Sequence, residues 1–596
     1  MRAAAVACLA ALVIPVAGFA APAPSGAREQ ARKPLETEVA LPNSPARLTE
    51  KRATALFLND DKVRDWLSRY PPAPVTEATF DKRSRAWTVN VWSGEAGEVA
   101  TGRVDDRTGA VIEAWTGPQV AWTMARGGPD GVFGGPKLNS PWLWLGFCAV
   151  FLLGLGDLRR PLSLRNLDLV VLLSFSVSLW FFNRGDIFTS MPLAYPPLAY
   201  LLARMVWTGT RGRAGASRTV PVWPVWLIAA TAVFLAGFRV GLNVRDSSVI
   251  DVGYAGVIGA DRIAHGEAPY GHMPVEEGRK RCGAPDAEGK FHARIQTNGR
   301  CETANERGDT YGPVSYLAYL PGWAIFGWSG ESVDLPAAHF TSIVFDLACL
   351  AGLALVGRRF GGSRLAATLA LAWAAYPFTQ YASSANTNDT IFPAILIFGF
   401  LLASSPWARG AAVALAGWTK FAPLLLAPLW FSYGWSLRDA PRRAGAFVAA
   451  FALATLAAFS VLLLEPNVLH AVGVFWDRTI GWQLGRESPF SIWDWGQYRA
   501  GLPDLHIVQR VLQVLLVIGA VAVAFVPRRK SPLQLAALSA ALLIGFELVL
   551  THWFFLYLPW FFPFVAFALL APPPPEARRD SRPHREHEIR ELVAAG

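Results

Sequence analysis

The sequence predicts a mainly α-helical, polytopic membrane protein with a small α+β domain ahead of its first span. Of its 596 residues, 53% are hydrophobic and only 17% are charged, which is too apolar for a single soluble domain of this length. The 24 Trp and 36 Phe suit lipid-facing helices and interfacial aromatic belts. From residue 141 onward, apolar stretches recur with nearly the ~20 residues needed to cross a bilayer.

The formal net charge of +10 fits the same class, because membrane proteins concentrate Lys and Arg in their cytoplasmic loops. Nucleic-acid binding is therefore a poor explanation of that charge. Cysteine is scarce, and only Cys282 and Cys301 of the five lie in a polar loop.

The N-terminus predicts export. Residues 1–22 combine Arg2, a modest apolar run and a small-residue end, which is typical of a secretory signal peptide. An uncleaved anchor helix is the alternative, and in both cases the following residues are sent outside. Residues 23–44 are rich in Ala, Pro and Glu and are predicted to be a linker.

Residues 45–125 predict a small extracytoplasmic domain. Helical periodicity over 49–69 ends at Pro71, because proline cannot continue a helix. The stretch 87–92 alternates as a strand, and 105–115 contains a glycine turn followed by a second strand.

This order of elements, with the stretch VDDRTGAVIEAW over 104–115, resembles a PepSY-type domain. The resemblance covers about 80 residues (45–125). No catalytic constellation is visible there, so the resemblance implies a binding or regulatory module.

A transmembrane domain is predicted over 141–571, followed by a cytoplasmic tail at 572–596. Arg-rich segments fall in alternate loops, which places the large loops outside and the C-terminus inside. The eleven predicted spans are 141–157, 167–183, 191–207, 222–242, 337–357, 365–382, 389–404, 445–464, 507–526, 532–549 and 553–571.

Two further apolar stretches, 313–328 and 411–433, break this alternation if each crosses the membrane once. They are therefore predicted to be re-entrant hairpins. Non-helical backbone at membrane depth is tolerated only where protein buries it or where it lines a wet cavity. A cavity open to the outside follows from this prediction.

Polar and aromatic residues concentrate in the predicted outside loops 243–312 and 465–505 and in short corners between spans. Their motifs are D-x-x-Y at Asp251, G-x-x-P-Y at Gly266, Y-G-P at Tyr311 and T-K-x-x-P at Thr419. In this order, over roughly 222–571, they resemble the GT-C superfamily of membrane glycosyltransferases that use polyprenyl-phosphate sugars. The similarity is greatest to family 87-like, mannosyltransferase-type enzymes, although Tyr-Gly-Pro replaces the commoner Tyr-Pro-Pro.

The resemblance implies that an Asp early in the first large outside loop is the catalytic base. Asp251 matches by position, and Asp246 is second. The chemistry agrees, because transfer from a lipid phosphate needs one carboxylate near the acceptor and cations at the leaving phosphate. The expected phosphate contacts are Lys420, Arg478, Arg486 and His552, and the other expected substrate contacts are Tyr254, Asp309, Tyr311, Asn388 and Asp389.

Simpler structural roles compete with these assignments. Asp251, Asp309 and Asp389 could cap helices. Arg478 and Arg486 could meet lipid headgroups, and Lys420 could snorkel to the interface. Asp346 and Glu547 lie within predicted spans. Hydrogen bonds between helices are the favoured explanation for them, and a proton or ion path is the alternative. His265 and His272 lack metal-ligand spacing, so no metal or other cofactor is predicted.

The leading hypothesis is a glycosyltransferase of the plasma membrane that acts on the outer face with a polyprenyl-phosphate donor and a cell-envelope acceptor. The alternatives are a transporter or lipid flippase, and a regulator without chemistry. A transporter should show internal repeats and a midplane site, and no convincing repeat is visible. Cys282 and Cys301 are predicted to form a disulfide, because the outside is oxidising.

Overall fold

The computed structural model describes residues 45–82, 84–93, 98–117, 120, 133–184, 186–212, 221–273, 308–330, 335–434, 440–484, 486, 488–497 and 503–571. The predicted signal peptide 1–22, the linker 23–44, the cysteine pair Cys282 and Cys301 and the tail 572–596 lie outside these residues. The described chain is mainly helical, with a small sheet near its N-terminus, as predicted.

The N-terminal unit packs two helices against an antiparallel four-stranded sheet of order β1-β2-β3-β4. The single predicted helix is divided at Asp60, whose carboxylate accepts the Lys62 and Val63 amides and starts a new helix. A separate apolar core that includes Phe57 and Val89 holds the unit together. Its elements are α1 (Glu50–Leu58), α2 (Asp61–Leu67), β1 (Val75–Asp81), β2 (Ala86–Trp92), β3 (Glu98–Asp105) and β4 (Val111–Thr116).

The sheet contains two strands that the sequence does not predict individually, β1 and β3. The predicted turn is present, with Gly109 at φ +73°. That left-handed conformation is the one that glycine adopts without steric cost.

The rest of the described chain is helical, and each of the eleven predicted spans contains a helix. The first group is α3 (Pro141–Leu155), α4 (Leu164–Phe182), α5 (Ile187–Arg211), α6 (Val225–Asp246), α7 (Asp251–Ala264), α8 (Pro313–Leu317), α9 (Leu320–Phe326) and α10 (Pro336–Ala375). The second group is α11 (Pro377–Ser384), α12 (Ile391–Leu401), α13 (Pro406–Gly417), α14 (Ala427–Ser432), α15 (Ala440–Phe459), α16 (Val468–Trp476), α17 (Trp482–Leu484), α18 (His506–Phe525), α19 (Pro532–Leu548) and α20 (Leu558–Leu570).

Among the described residues, five helical segments are long and apolar enough to cross a membrane. They are Leu164–Phe182, Val225–Asp246, Pro336–Ala375, Ala440–Leu464 and His506–Phe525. Several other apolar helices have only 10–17 residues. The structure therefore supports a membrane protein, and the count of eleven spans stays a prediction.

Helix α10 contains the predicted span 337–357 and the first part of the predicted span 365–382, and it reverses direction between them. Gly362 has φ +75°, which no α-helix contains. A Cβ built on Gly357 would lie 2.6 Å from Ala366, nine residues further along the chain. In a straight helix these residues would be about 13 Å apart. The chain therefore turns back at Gly362, between the two spans.

Both predicted re-entrant stretches are broken helices, and they meet each other. The first consists of α8 and α9, and the second breaks between α13 and α14 into a 3₁₀ turn over Ala422–Leu426. The Gly312 amide donates to the Thr419 carbonyl at 3.3 Å, and the Val314 amide donates to the Trp418 carbonyl at 3.1 Å. Whether either stretch re-enters the membrane stays a prediction.

A buried ion pair connects the long helices. The Arg239 Nε donates to Asp346 Oδ2 at 2.9 Å, and the Trp373 indole donates to the other oxygen at 2.8 Å. Arg239 also donates to Thr379 Oγ1 of α11 at 3.1 Å. Asp346 thus forms the interhelical bonds expected of it, whereas Glu547 accepts from Trp553, in the corner that follows its own helix.

Candidate functional site

A cavity of about 460 Å³ lies where the ends of several helices converge. The start of α7, the segment before α8, the break after α13 and the corner before α20 all reach it. Its polar lining is Asp251, Thr310, Tyr311, Asp389, Lys420, Gln483, Arg486, Gln513, Thr551, His552 and Tyr557.

Asp251 is the first residue of α7, where a negative charge interacts favourably with the helix dipole. The backbone before it is fixed on α11, because the Ser248 amide donates to Ser384 O and the Ile250 amide to Ala385 O. The cap position belongs to Ile250, which makes no side-chain cap bond. Asp251 is therefore not the N-cap residue, although its carboxylate accepts the Val252 amide within the first turn of the helix.

The Asp251 side chain is exposed on the cavity, within a densely packed part of the protein. Desolvation by the surrounding protein raises the pKa of Asp251 above the ordinary range of an aspartate, whereas the hydrogen bond from the Val252 amide and the positive charges of Arg486 and Lys420 limit the rise. A carboxylate with a raised pKa binds a proton more strongly than an ordinary aspartate does, which favours its use as a general base.

Lys420 lies at the break after α13 and forms an ion pair with Asp389. Its Nζ is 2.5 Å from Asp389 Oδ1, which also accepts the Trp560 indole N–H at 2.8 Å. The ammonium lies 5.2–5.3 Å from the ring centres of Tyr311, Tyr557 and Trp560. Such a cage stabilises a cation by cation–π attraction.

Asp389 keeps one oxygen without a protein partner. Its Oδ2 is buried and has no hydrogen bond within the described chain. An unmade bond at a buried carboxylate is costly, so this oxygen is a site where a ligand hydroxyl could donate.

Arg486 and His552 complete the polar wall. The Arg486 guanidinium lies 4.7 Å from the Trp482 ring centre. His552 Nδ1 is 2.8 Å from Ser488 Oγ, and its ring stacks on Phe554. Burial lowers the pKa of His552 well below its usual value, and the charges of Arg486 and Lys420 lower it further. The imidazole is therefore neutral at pH 7.

Six of the residues predicted for the site line this cavity together: Asp251, Tyr311, Asp389, Lys420, Arg486 and His552. The other five are placed elsewhere within the described residues. Arg478 donates to Asp309 Oδ2 at 2.8 Å, and the Gly271 amide donates to the same oxygen. Tyr254 packs against Trp328, and Asn388 donates to Ser315 Oγ at 2.6 Å.

Asp246, the second predicted base, is engaged at the end of α6. Its Oδ2 accepts the Lys137 amide at 2.7 Å, and it is not among the residues lining the cavity. The structure thus separates two carboxylates that the sequence leaves as alternatives, with only Asp251 on the cavity.

Sequence reasoning missed Phe133, Trp560 and Tyr557. Trp560 and Tyr557 fall in or beside an apolar run that predicts only a span, and nothing in their local pattern marks them as cavity residues. Their pairing with Lys420 depends on how α20 packs, which one sequence does not specify.

Comparisons with protein families, curated proteins and solved structures found no match to this chain. Among the described residues, no group of three or more His, Cys, Asp or Glu side chains could hold a metal ion. The arrangement offers a carboxylate base, two cations, a neutral imidazole and aromatic rings against an apolar wall.

Proposed function

We propose that this protein is a membrane glycosyltransferase that moves a sugar, of mannose or arabinose type, from a polyprenyl-phosphate donor to a cell-envelope acceptor. The observation that supports this best is that Asp251 shares one cavity with Lys420 and Arg486. A base and two phosphate-binding cations are the groups that this reaction requires.

In the proposed reaction, the acceptor hydroxyl gives its proton to the Asp251 carboxylate as its oxygen bonds to the sugar C1. The bond between C1 and the phosphate oxygen breaks, and the lipid phosphate leaves with the bonding electrons. Lys420 and Arg486 stabilise that developing charge. Attack from the face opposite the phosphate inverts the configuration at C1.

A phosphate is already a good leaving group, so this mechanism needs no second carboxylic acid. Asp389 has another role, because it compensates the positive charge of Lys420. Its unpartnered Oδ2 and the nearby Trp560 suit a sugar hydroxyl and a sugar face, respectively.

The apolar part of the lining suits a lipid-linked donor. Phe421, Leu424, Ile480, Leu484 and Leu550 lie on the same cavity as the polar residues. Beside them, α18 exposes much of its apolar surface, including Val511 and Leu515. A helix exposed in this way suits contact with lipid.

A transporter or flippase of the cell envelope is the second candidate. The observation that favours it is the Lys420–Asp389 pair, which lies at a helix break and is buried. Transporters hold charged groups at discontinuous helices in this manner. Against it, the polar residues of the cavity lie at helix ends.

The decisive experiment gives the purified protein, in lipid nanodiscs, a panel of radiolabelled polyprenyl-phosphate sugars with membrane acceptors. A glycosyltransferase transfers label to an acceptor, and Asp251→Asn abolishes most of that transfer. Uptake or flipping of the intact donor by proteoliposomes, with no transfer to any acceptor, would replace this proposal with the transporter.

A further inference from the structure

One segment on the cavity wall belongs to no predicted element. Residues 133–139, here called the strap, precede α3 and lie between the N-terminal unit and the helices. Phe133, at its start, is only 1% exposed and lines the cavity. Its ring centre lies 5.0 Å from Phe554, whose own ring stacks on His552.

The strap is attached to the end of α6 by close backbone contacts. The Lys137 amide donates to Asp246 Oδ2 at 2.7 Å. A Cβ on Gly135 would lie 1.7 Å from the Asp246 carbonyl oxygen, and Gly135 has φ +89°. Only glycine permits both the left-handed backbone and this approach.

The strap also has internal and lateral support. The Asn139 side-chain amide donates to Phe133 O at 2.7 Å and to Gly135 O at 2.9 Å. The Asn183 side chain, which follows α4, donates to Asn139 Oδ1 at 3.0 Å. These bonds fix the conformation in which Phe133 reaches the cavity.

We propose that the strap closes one wall of the cavity, with Asp246 as a positioning residue that holds Phe133 against Phe554 and so orients His552. Asp246 acts here as a hydrogen-bond acceptor and not as a base. Its effect on the proposed glycosyl transfer rests on the function proposed above, whereas its effect on the strap does not.

The amide variant separates the two roles of Asp246. Asp246→Asn keeps an oxygen that accepts the Lys137 amide, but it cannot take a proton. Asp246→Ala loses that acceptor. If Asp246 is a positioning residue, Asp246→Asn should preserve function and Asp246→Ala should not. If Asp246 is a catalytic base, both variants should lose function.

The first measurement is independent of catalysis. Phe133→Cys is made in the native background and combined with Asp246→Asn, Asp246→Ala and, as a matched control, Asp504→Ala. Asp504 also accepts a backbone amide, that of His506, at 2.9 Å, but far along the chain from the strap. A soluble thiol reagent is applied, and the label at position 133 is located by peptide mass mapping.

We expect slow labelling of the introduced thiol when Asp246 is native, in Asp246→Asn and in Asp504→Ala, and faster labelling in Asp246→Ala. Equal rates in all four proteins would overturn the proposal. Should the Asp246→Ala protein fail to fold, Gly135→Ala provides the second variant. It displaces the strap by the steric overlap above while keeping the carboxylate, and it should also expose the thiol at position 133.

The second measurement is sugar transfer. Asp246→Ala should lower kcat by about 10²-fold, the effect of a small misplacement of catalytic groups. Asp246→Asn should keep the wild-type rate and pH profile. Loss of transfer in Asp246→Asn would overturn the positioning role. A labelling difference without transfer from any donor would uphold the strap and defeat the glycosyltransferase proposal instead.

Discussion

Lys420 and Asp389 neutralise each other inside the cavity, with Nζ 2.5 Å from Oδ1 and both side chains buried. From the sequence alone, replacing Lys420 should affect only donor binding. The ion pair means that this replacement should also destabilise the fold, because removing one partner leaves the other as an uncompensated buried charge.

Lys420→Met should therefore weaken donor binding and also destabilise the fold, by about 3–5 kcal/mol. The double variant Lys420→Met/Asp389→Asn should recover much of the stability but none of the donor affinity. Thermal unfolding and binding of a labelled lipid-phosphate donor measure the two effects. Unchanged donor affinity in Lys420→Met would indicate that the ammonium only completes the ion pair.

Asp251→Asn should lower turnover by about 10²–10⁴-fold, the usual contribution of a general base. Expression and donor binding should change little, because the amide keeps the shape of the side chain. Asp261→Asn is the control. Asp261 lies on the same helix and accepts the Trp323 indole at 2.9 Å, away from the cavity lining. Full transfer by Asp251→Asn would defeat the mechanism.

The pH profile tests the electrostatics of Asp251. Its raised pKa means that the carboxylate is protonated, and inactive, at pH values where an exposed aspartate is still ionised. As the pH is lowered, kcat/KM should thus begin to decrease at a pH above the usual pKa range of aspartate.

Arg486→Gln removes a charge that stabilises the Asp251 carboxylate. The decrease of kcat/KM at low pH, here called the acid limb, should therefore move to higher pH. Arg478→Gln provides the comparison, because the Arg478 guanidinium binds Asp309. An acid limb that stays in place in Arg486→Gln would mean that Asp251 is not the group that titrates.

Orientation across the membrane is tested by single cysteines at exposed positions. His470 lies in the predicted outside loop and Arg160 in a predicted inside loop, and both are exposed. An impermeant thiol reagent should label His470→Cys in intact cells and Arg160→Cys only after permeabilisation. The reverse pattern would invert the topology.

The predicted disulfide between Cys282 and Cys301 lies outside the described residues. The pair encloses 18 residues, and closing such a loop should stabilise the fold by ~3 kcal/mol in the chain-entropy model. Mass spectrometry of the unreduced protein should find the linked peptides. Alkylation of both thiols without prior reduction would exclude the bond.

Hydropathy predicts where helices form, because an apolar run long enough to approach a bilayer thickness leaves the backbone no other stable state. It also predicts the place of Asp251, which follows a span closely and so lies just beyond the end of α6. The boundary between the predicted spans 337–357 and 365–382 is also marked in the sequence, by Arg358, Arg359 and Arg364. What the sequence does not show is that the reversal of α10 depends on one left-handed residue, Gly362.

The partners of Lys420 could not be predicted. Asp389 precedes it by 31 residues and Trp560 follows it by 140, and no local pattern relates them. Arg478 is the opposite case. The sequence suggests a phosphate contact, but Asp309 binds the guanidinium instead, which only the packing of the loops determines.

Gly312 shows how an absent side chain can control a present one. A Cβ at residue 312 would lie 2.0 Å from the Trp418 carbonyl oxygen, a separation that real atoms do not reach. Even alanine would force the two broken segments apart, and Lys420, two residues beyond Trp418, would be displaced with its segment. The absence of a side chain at residue 312 thus determines how closely the two segments approach, and through that approach it determines the position of the Lys420 ammonium in the cavity.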